Sequence, residues 1–381
     1  IIIIFFIPYT ASGFAACGKL FSSLFGMNYM TAMIISAVVI VAYTTAGGFF
    51  AASATDFVQS IIMTVAIVFV LVFSTISAGG VDAVVENAKA LPGYLSLTAS
   101  YIEDTGKSEP YNLLHIITTL SWGLGYFGMP HILLRFMAIE DEKKLRLSRR
   151  VASVWVVIAM AMAVLIGIVG RALSNTGLVD QLHGNDTETI IVRVAHLLST
   201  YGAFPAIMAG LILAGILAST MSTADSQLLA AASSVSENIL REAFHLKISE
   251  KKSMLAARLT VIGIAILGII IARNPDSSVF GIVSFAWAGF GAAFGPLVIC
   301  SLFWKRTTLP GAIAGMASGG AMVFIWKYLI KPIGGVFGIY ELLPAFLVGL
   351  VLMVIVSLCT KAPSKEITDE FDRVKAMGKA K

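Results

Sequence analysis

Charge is scarce in this sequence. Lys and Arg number 27 and Asp and Glu 22 among 381 residues, 13% of the chain. A soluble domain carries about 25%, and half of that cannot build a water-facing surface. This excludes a soluble globular enzyme, a disordered chain and a nucleic-acid-binding domain. The formal net charge of +5 is spread without a basic block. Cysteine is scarce too. Cys17, Cys300 and Cys359 stand in apolar stretches, with neither a disulfide framework nor metal-ligand spacing. Catalytic signatures are missing: there is no His-Glu-x-x-His, no P-loop and no Gly-x-Ser-x-Gly, and the five histidines are scattered. A leader is missing as well. The chain opens Ile-Ile-Ile-Ile-Phe-Phe, without Met, basic residues or a cleavage site. Residue 1 is therefore expected to be the interior of a longer chain.

What is present is apolar length. Hydrophobic residues make up 57% of the chain, and a predominantly apolar run of about 18 or more residues spans a ~30 Å hydrocarbon core. About ten runs qualify: 2–24, 29–46, 50–78, 111–137, 150–173, 204–224, 254–272, 279–304, 310–330 and 341–360. The expected fold class is an all-α polytopic membrane protein, with a transmembrane region over 1–360. Residues 225–241 continue as a helix at the membrane edge, and 361–381 form a charged, solvated tail. Lys143, Lys144, Arg146, Arg149 and Arg150 crowd the connection 138–150, and Arg241, Lys247, Lys251 and Lys252 the connection 241–252. Loop 79–110 instead holds Asp82, Glu86, Glu103, Asp104 and Glu109 against Lys89 and Lys107. Basic connections stay in the cytoplasm, so 138–150, 241–252, 305–309 and the C-terminus are expected inside, and the acidic loops outside.

Two acidic residues remain in or beside the spans, Asp56 and Asp225. A charge at the bilayer centre costs roughly 2.5–3.5 kcal/mol, so it faces a cavity or a partner, unless it sits at a helix end and touches water. Asp225, close to the cytoplasmic edge, is expected to touch water; Asp56 is open to either reading. Residues 121–131 contain Gly123, Gly125 and Gly128 in a Gly-x-Gly-x-x-Gly pattern. That pattern binds dinucleotides only between a strand and a helix, and here it lies inside an uncharged span. With Pro130 it marks a place where a spanning helix can unwind, and transporters bind solutes at such breaks. The alternative is tight packing through small residues, with Trp122 and Tyr126 as packing aromatics. Residues 219–223 read Ser-Thr-Met-Ser-Thr. Their hydroxyls either bond back to i−4 carbonyls or bridge helices, or else form an oxygen-rich nest for a hard cation. Residues 219, 222 and 223 share one helix face.

The chain resembles the solute:sodium symporter family. The run Tyr43-Thr-Thr-Ala-Gly47-Gly48-Phe-Phe-Ala51 is similar to one family signature, and Ser301-Leu-Phe-Trp-Lys-Arg306 with Gly311-Ala312 to a second. The stretch from Trp122 through Pro130 and Arg135, and that from Ser284 to Pro296, resemble the proline-transporting members. The likeness runs from residue 1 to about 365. It implies a LeuT-type core of two inverted five-helix repeats, lacking its first helices. Residues 1–78 would be the remainder of the first repeat, 111–304 the second, and 310–360 extra C-terminal helices. It implies symport of L-proline with sodium across a bacterial inner membrane. No enzymatic step, nucleic acid or obligatory protein partner is expected beside the bilayer, the solute and the ion. Another small solute of the same family is the alternative substrate. An ion channel, which needs a continuous pore, is the alternative class. The resemblance assigns substrate binding to Trp122, Tyr126, Pro130 and Tyr9. It assigns sodium to the Ser219 carbonyl and the Ser222 and Thr223 hydroxyls, with Asp56 as a second or coupling position. The other sodium ligands would lie on a first core helix preceding residue 1, so this chain alone is expected to offer one wall of the ion site.

Overall fold

The computed structural model describes residues 1–379 apart from residue 104, with side chains except at 48–51, 378 and 379. The side chains at the Gly48–Ala51 end of the first motif, and Asp104 of the acidic loop altogether, thus lie outside what is described. The chain is almost wholly helical. Its helices are α1 Ile2–Phe25, α2 Tyr29–Ser77, α3 Val81–Ala90, α4 Leu113–Leu120, α5 Pro130–Met137, α6 Leu145–Asn175, α7 Ile190–Ser199, α8 Ala203–Ser233, α9 Glu250–Ile271, α10 Val279–Phe303, α11 Leu309–Ile325, α12 Leu342–Cys359 and α13 Lys365–Lys379. Among the described residues, 9 helical stretches are long and apolar enough to cross a bilayer. The tenth expected span, 111–137, is in pieces. Its segments α4 and α5 have 8 residues each.

One expectation changes. The sequence predicts separate helices over 29–46 and 50–78, but α2 is one hydrogen-bonded helix of 49 residues. Asn28 starts it by accepting from the amides of Met30 and Thr31. No proline follows within it, and each glycine at 47–48 costs only about 1 kcal/mol, so the ladder continues. If straight, such a helix would be about 74 Å long, more than twice the apolar core. Its halves Tyr29–Gly47 and Ala52–Ser77 each qualify as a crossing. Gly79 and Gly80, at φ +95° and +93°, turn the chain after it. The charged tail is exposed as expected; within it residues 365–379 are helical, and Asp372 on α13 pairs with Lys305.

The chain divides into two compact units. One comprises residues 1–5, 112–137 and 283–381; the other comprises 6–111 and 138–282. In the second unit α2 lies against α6, α8 and α9. Its core joins Val70, Ile166, Leu173, Leu198 and Ile212. In lipid such contacts stabilise by close packing rather than by exclusion of water. Connection 79–110 folds on its own account. Strand β1 (Ala99–Ile102) pairs antiparallel with β2 (Lys107–Pro110), Tyr101 facing Ser108. Arg171 at the end of α6 holds this hairpin: its Nη1 is 3.2 Å from Glu103 and its guanidinium lies 5.2 Å from the Tyr101 ring centre.

Glu188, in the short 3-10 turn before α7, gathers one more set of contacts in this unit. Its carboxylate accepts from Lys19 Nζ at 2.9 Å, Ser278 Oγ at 2.9 Å, and the amides of Val279 and Phe280 at 3.1 and 3.2 Å. It thus caps the amide end of α10 from another segment, where the helix dipole favours a negative charge. Burial by itself would raise this carboxyl, but the hydrogen bonds from Lys19, Phe280, Val279 and Ser278 outweigh it. They hold the group below the ordinary glutamate range.

In the first unit Phe5 packs among Phe285, Phe290 and Phe324, with ring centres 5.4–5.9 Å apart. Helices α11 and α12 meet along Gly311 and Gly315, one turn apart, and Gly319, a further turn on, lies between Gly349 of α12 and the Ala292 backbone of α10. A Cβ on Gly315 would come within 2.6 Å of Met353, so the backbones touch because nothing stands between them. Glu341, only 2% exposed at the start of α12, is neutralised by Lys331 at 2.8 Å and Lys327 at 3.8 Å.

Candidate functional site

The broken span belongs to the first unit. Three glycines make residues 121–128 a poor α-helix. Pro130 lacks an amide hydrogen and drives its predecessor out of the α region, and Met129 is accordingly extended at φ −81°, ψ 106°. Ser121–Gly128 winds as a 3-10 turn, and α5 restarts at Pro130, a residue suited to the first position of a helix. One carbonyl of this turn is met by α10. Trp287 donates its indole N–H to the Trp122 carbonyl at 3.0 Å. Its ring stacks on Trp122, centres 5.3 Å apart and 12° from parallel, while Tyr126 meets it edge-on at 4.8 Å and 85°. Tyr340 covers the other part of Trp122 at 5.8 Å.

The span is unwound, and it is also packed through small residues. A Cβ on Gly128 would stand 2.9 Å from the Gly295 amide and 3.0 Å from Gly291 Cα, and one on Gly125 would overlap the Trp287 indole. Gly123 meets nothing within 4 Å. Of the residues assigned to substrate, Trp122 and Tyr126 are brought together around Trp287. Pro130 is buried and Tyr126 is 49% exposed. Tyr9, also buried, lies on α1 in the other unit.

The hydroxyl cluster sits on unbroken α8, in the second unit. Ser222 Oγ and Thr223 Oγ1 donate to the Ser219 carbonyl at 3.1 and 3.0 Å. This is the back-bonded geometry of a membrane helix, and it gathers three oxygens at one spot. One turn further on, the structure corrects the expectation for Asp225. It does not touch water: it is 0% exposed. Tyr43 on α2 approaches Asp225 Oδ2 at 2.7 Å and the Met221 carbonyl at 3.1 Å, and Ser226 donates to Oδ1 at 3.3 Å. A nearby phenol replaces water, which is how a buried carboxylate is tolerated. Next to this pair, Thr10 donates to Gln227 at 3.3 Å, both buried. Asp56, half-buried on the later half of α2, lies within electrostatic reach of Tyr43.

Three residues of these sites, Tyr43, Asp225 and Trp287, were not singled out for chemistry by the sequence. The signals were present. Tyr43 opens the first motif, Trp287 sits in the Ser284–Pro296 stretch, and Asp225 follows Ser222 at i+3 on α8. Among the described residues no cluster of three or more His, Cys, Asp or Glu could hold a metal ion. Any cation on α8 would have to be a hard ion served by hydroxyl and carbonyl oxygens.

Comparison with known proteins agrees over nearly the whole chain. The profile of the family described as the sodium:solute symporter family matches residues 1–319. Sodium/proline symporter 2 of Staphylococcus saprophyticus is 39% identical over 385 residues, covering 100% of this chain and 72% of that protein. The high-affinity proline transporter PutP of Bacillus subtilis is 39% identical over 373 residues, covering 98% and 74%. The osmoregulated proline transporter OpuE of the same species is 39% identical over 365 residues, covering 96% and 70%. In structure, a Na+-coupled sialic acid symporter in a substrate-bound, outward-open state superposes with a TM-score of 0.73. It shares 18% identity and covers 95% of this chain and 74% of that one.

Proposed function

The chain belongs to the sodium:solute symporter family, and from that premise we propose that it carries L-proline with Na+ into the cell by alternating access. Membership makes it a multi-pass membrane transporter rather than an enzyme, coupling Na+ to a small organic solute. The narrower reading is ours. The substrate is L-proline, because the matched relatives are named for it. Trp122, Tyr126, Pro130 and Tyr9 bind it. The Ser219 carbonyl and the Ser222 and Thr223 hydroxyls receive the ion, with Asp56 as a second or coupling position. The repeats are of LeuT type, with 1–78 finishing the first, 111–304 forming the second and 310–360 adding helices. The C-terminus faces the cytoplasm of a bacterial inner membrane.

The observation that carries this reading is the match, at 39% identity over nearly the whole chain, to proteins named as proline transporters; the Ser222 and Thr223 hydroxyls, which here bond back to the Ser219 carbonyl at 3.1 and 3.0 Å, would turn to the ion. Sodium is held by oxygens of this kind. The drive suffices without ATP. A potential of about 100 mV supplies roughly 2.3 kcal/mol per charge and a tenfold gradient about 1.4. Together these hold a solute gradient of about 500-fold.

The test is uptake of labelled L-proline by the full-length protein in liposomes. Uptake should need an inward Na+ gradient, saturate, and show counterflow. Failure of L-proline to compete with a solute that is transported would hand the site to another substrate, and flux without saturation or counterflow would hand it to a channel. For orientation, a cysteine in place of Glu109 should react with an impermeant reagent from outside, and one at Lys144 only after permeabilisation; the reverse labelling inverts the assignment.

A further inference from the structure

Unwinding a helix inside a membrane creates a specific problem. Carbonyls released from the ladder need donors, because an unpaired one is costly away from water. The backbone of Ser121–Gly128 finds one of them in a side chain 165 residues away: the Trp287 indole donates to the Trp122 carbonyl at 3.0 Å. The same indole is parallel to the Trp122 ring and perpendicular to that of Tyr126, at centre distances of 5.3 and 4.8 Å. One side chain thus fixes a carbonyl and two aromatic planes of the broken span.

The glycines of both segments fit this arrangement. A Cβ on Gly125 would stand 2.7 Å from Trp287 Cε2 and nearer still to Nε1, and a Cβ on Gly291 would stand 2.7 Å from Gly125 Cα. Any side chain at either position would displace the indole from the carbonyl or separate the two backbones. The stretch Ser284–Pro296 is thereby accounted for as the surface on which the unwound segment is seated. Trp287 itself is 7% exposed, so its influence on a solute passes through its neighbours.

We propose that Trp287 is a positioning residue for the solute site: its N–H sets the depth of the unwound backbone, and its ring sets the angle between Trp122 and Tyr126. Gly125 is the vacancy that lets it do so. This rests on the assignment of Trp122 and Tyr126 to the solute made under the proposed function. Rings held at a fixed angle lose little freedom when a solute arrives, which favours affinity. A ring partner without the N–H should keep the fold and lose the register.

The test compares Trp287→Phe, Gly125→Ala and, as a control, Trp326→Phe in the full-length protein. Trp326 makes the same kind of bond elsewhere in this unit, to the Ile339 carbonyl at 3.3 Å. Two readouts are needed. Hydrogen–deuterium exchange over residues 121–128, which requires no solute, should quicken about three- to tenfold in Trp287→Phe and Gly125→Ala and stay unchanged in Trp326→Phe. The apparent KM for labelled L-proline should rise about three- to tenfold in the same two variants, with maximal rate and half-saturating Na+ within about twofold of the parent. Unchanged exchange in Trp287→Phe overturns the proposal, as does faster exchange with an unaltered KM. A fall in maximal rate alone also overturns it, because that is what a purely structural role would produce. If the parent carries no L-proline, the substrate assignment fails. The positioning role then stands or falls on exchange and on the KM of the solute that is carried.

Discussion

The unwound segment Ser121–Gly128 and the hydroxyl stretch of α8 place oxygen inside a membrane in opposite ways. The first gives up the helix. Its glycines and Pro130 tighten the chain into a 3-10 turn, and one carbonyl of that turn, that of Trp122, accepts from outside the segment, from Trp287. The second keeps the helix. Ser222 and Thr223 double their hydroxyls onto a carbonyl already in the ladder, and Tyr43 comes in from α2 to reach Asp225. The broken span depends on the absence of side chains and the intact one on their presence. Substitutions should therefore act differently on the two, through shape in the first and through lost donors and acceptors in the second.

The largest expected effect is on the side of shape. Gly128→Val would push a side chain into the Gly291–Gly295 backbone, an overpacking that costs at least about 3 kcal/mol. Thermal unfolding in detergent should show a large loss of stability, and uptake should vanish. A stable, active Gly128→Val protein would break the contrast. Tyr43→Phe comes next. It keeps the volume and removes a donor from a fully buried carboxylate, at about 1–3 kcal/mol. The melting temperature should fall while the protein still folds. A melting curve identical to the parent's would mean that the phenol does not hold Asp225. Thr223→Ala is milder and more selective. It removes one oxygen of three and should raise half-saturating Na+ about three- to tenfold. Solute affinity should fall only as far as it is linked to Na+ occupancy, and the defect should shrink as Na+ rises. An unaltered Na+ curve would remove α8 from the ion path.

The smallest effect lies outside both regions. Glu188 is held below its ordinary range by its donors. Its contribution to stability is complete above the ordinary glutamate pKa and is lost as pH falls through the lower folded value. On acidification below about pH 4, the parent should lose melting temperature that Glu188→Gln does not lose. Parallel curves for the two proteins would show that this carboxylate is not anchored by its donors.

Much of this was legible in the sequence. Long runs of predominantly apolar residues mark the crossings because a charge facing lipid is costly. The break at 121–130 is written in three glycines and a proline, and the Ser219, Ser222 and Thr223 face follows from helical period. What escaped depends on distant partners or on continuity. Asp225 looks solvated until Tyr43, 182 residues earlier, is brought beside it. Glu188 is one acid among several until Lys19 and Ser278 reach it. The unbroken α2 could not be read from Gly47 and Gly48, because a glycine pair weakens a helix without stopping it. The hairpin at 99–110 was hidden by strands of only 4 residues each.

The glycine seam of α11 has a consequence for biosynthesis. Gly311, Gly315, Gly319 and Gly320 are all buried, and glycine adds almost nothing to a segment's preference for lipid. A ribosome delivers α11 before α12, so for a time the newly made segment would present a bare stripe of peptide groups to hydrocarbon. The later α12 covers Gly311 and Gly315, while Gly319 lies against Ala292 of the earlier α10 and Gly320 near Ile1 and Phe5. Because Gly311 and Gly315 find their cover only on α12, the two segments are expected to settle as a hairpin, with that part of the seam closing after α12 is made.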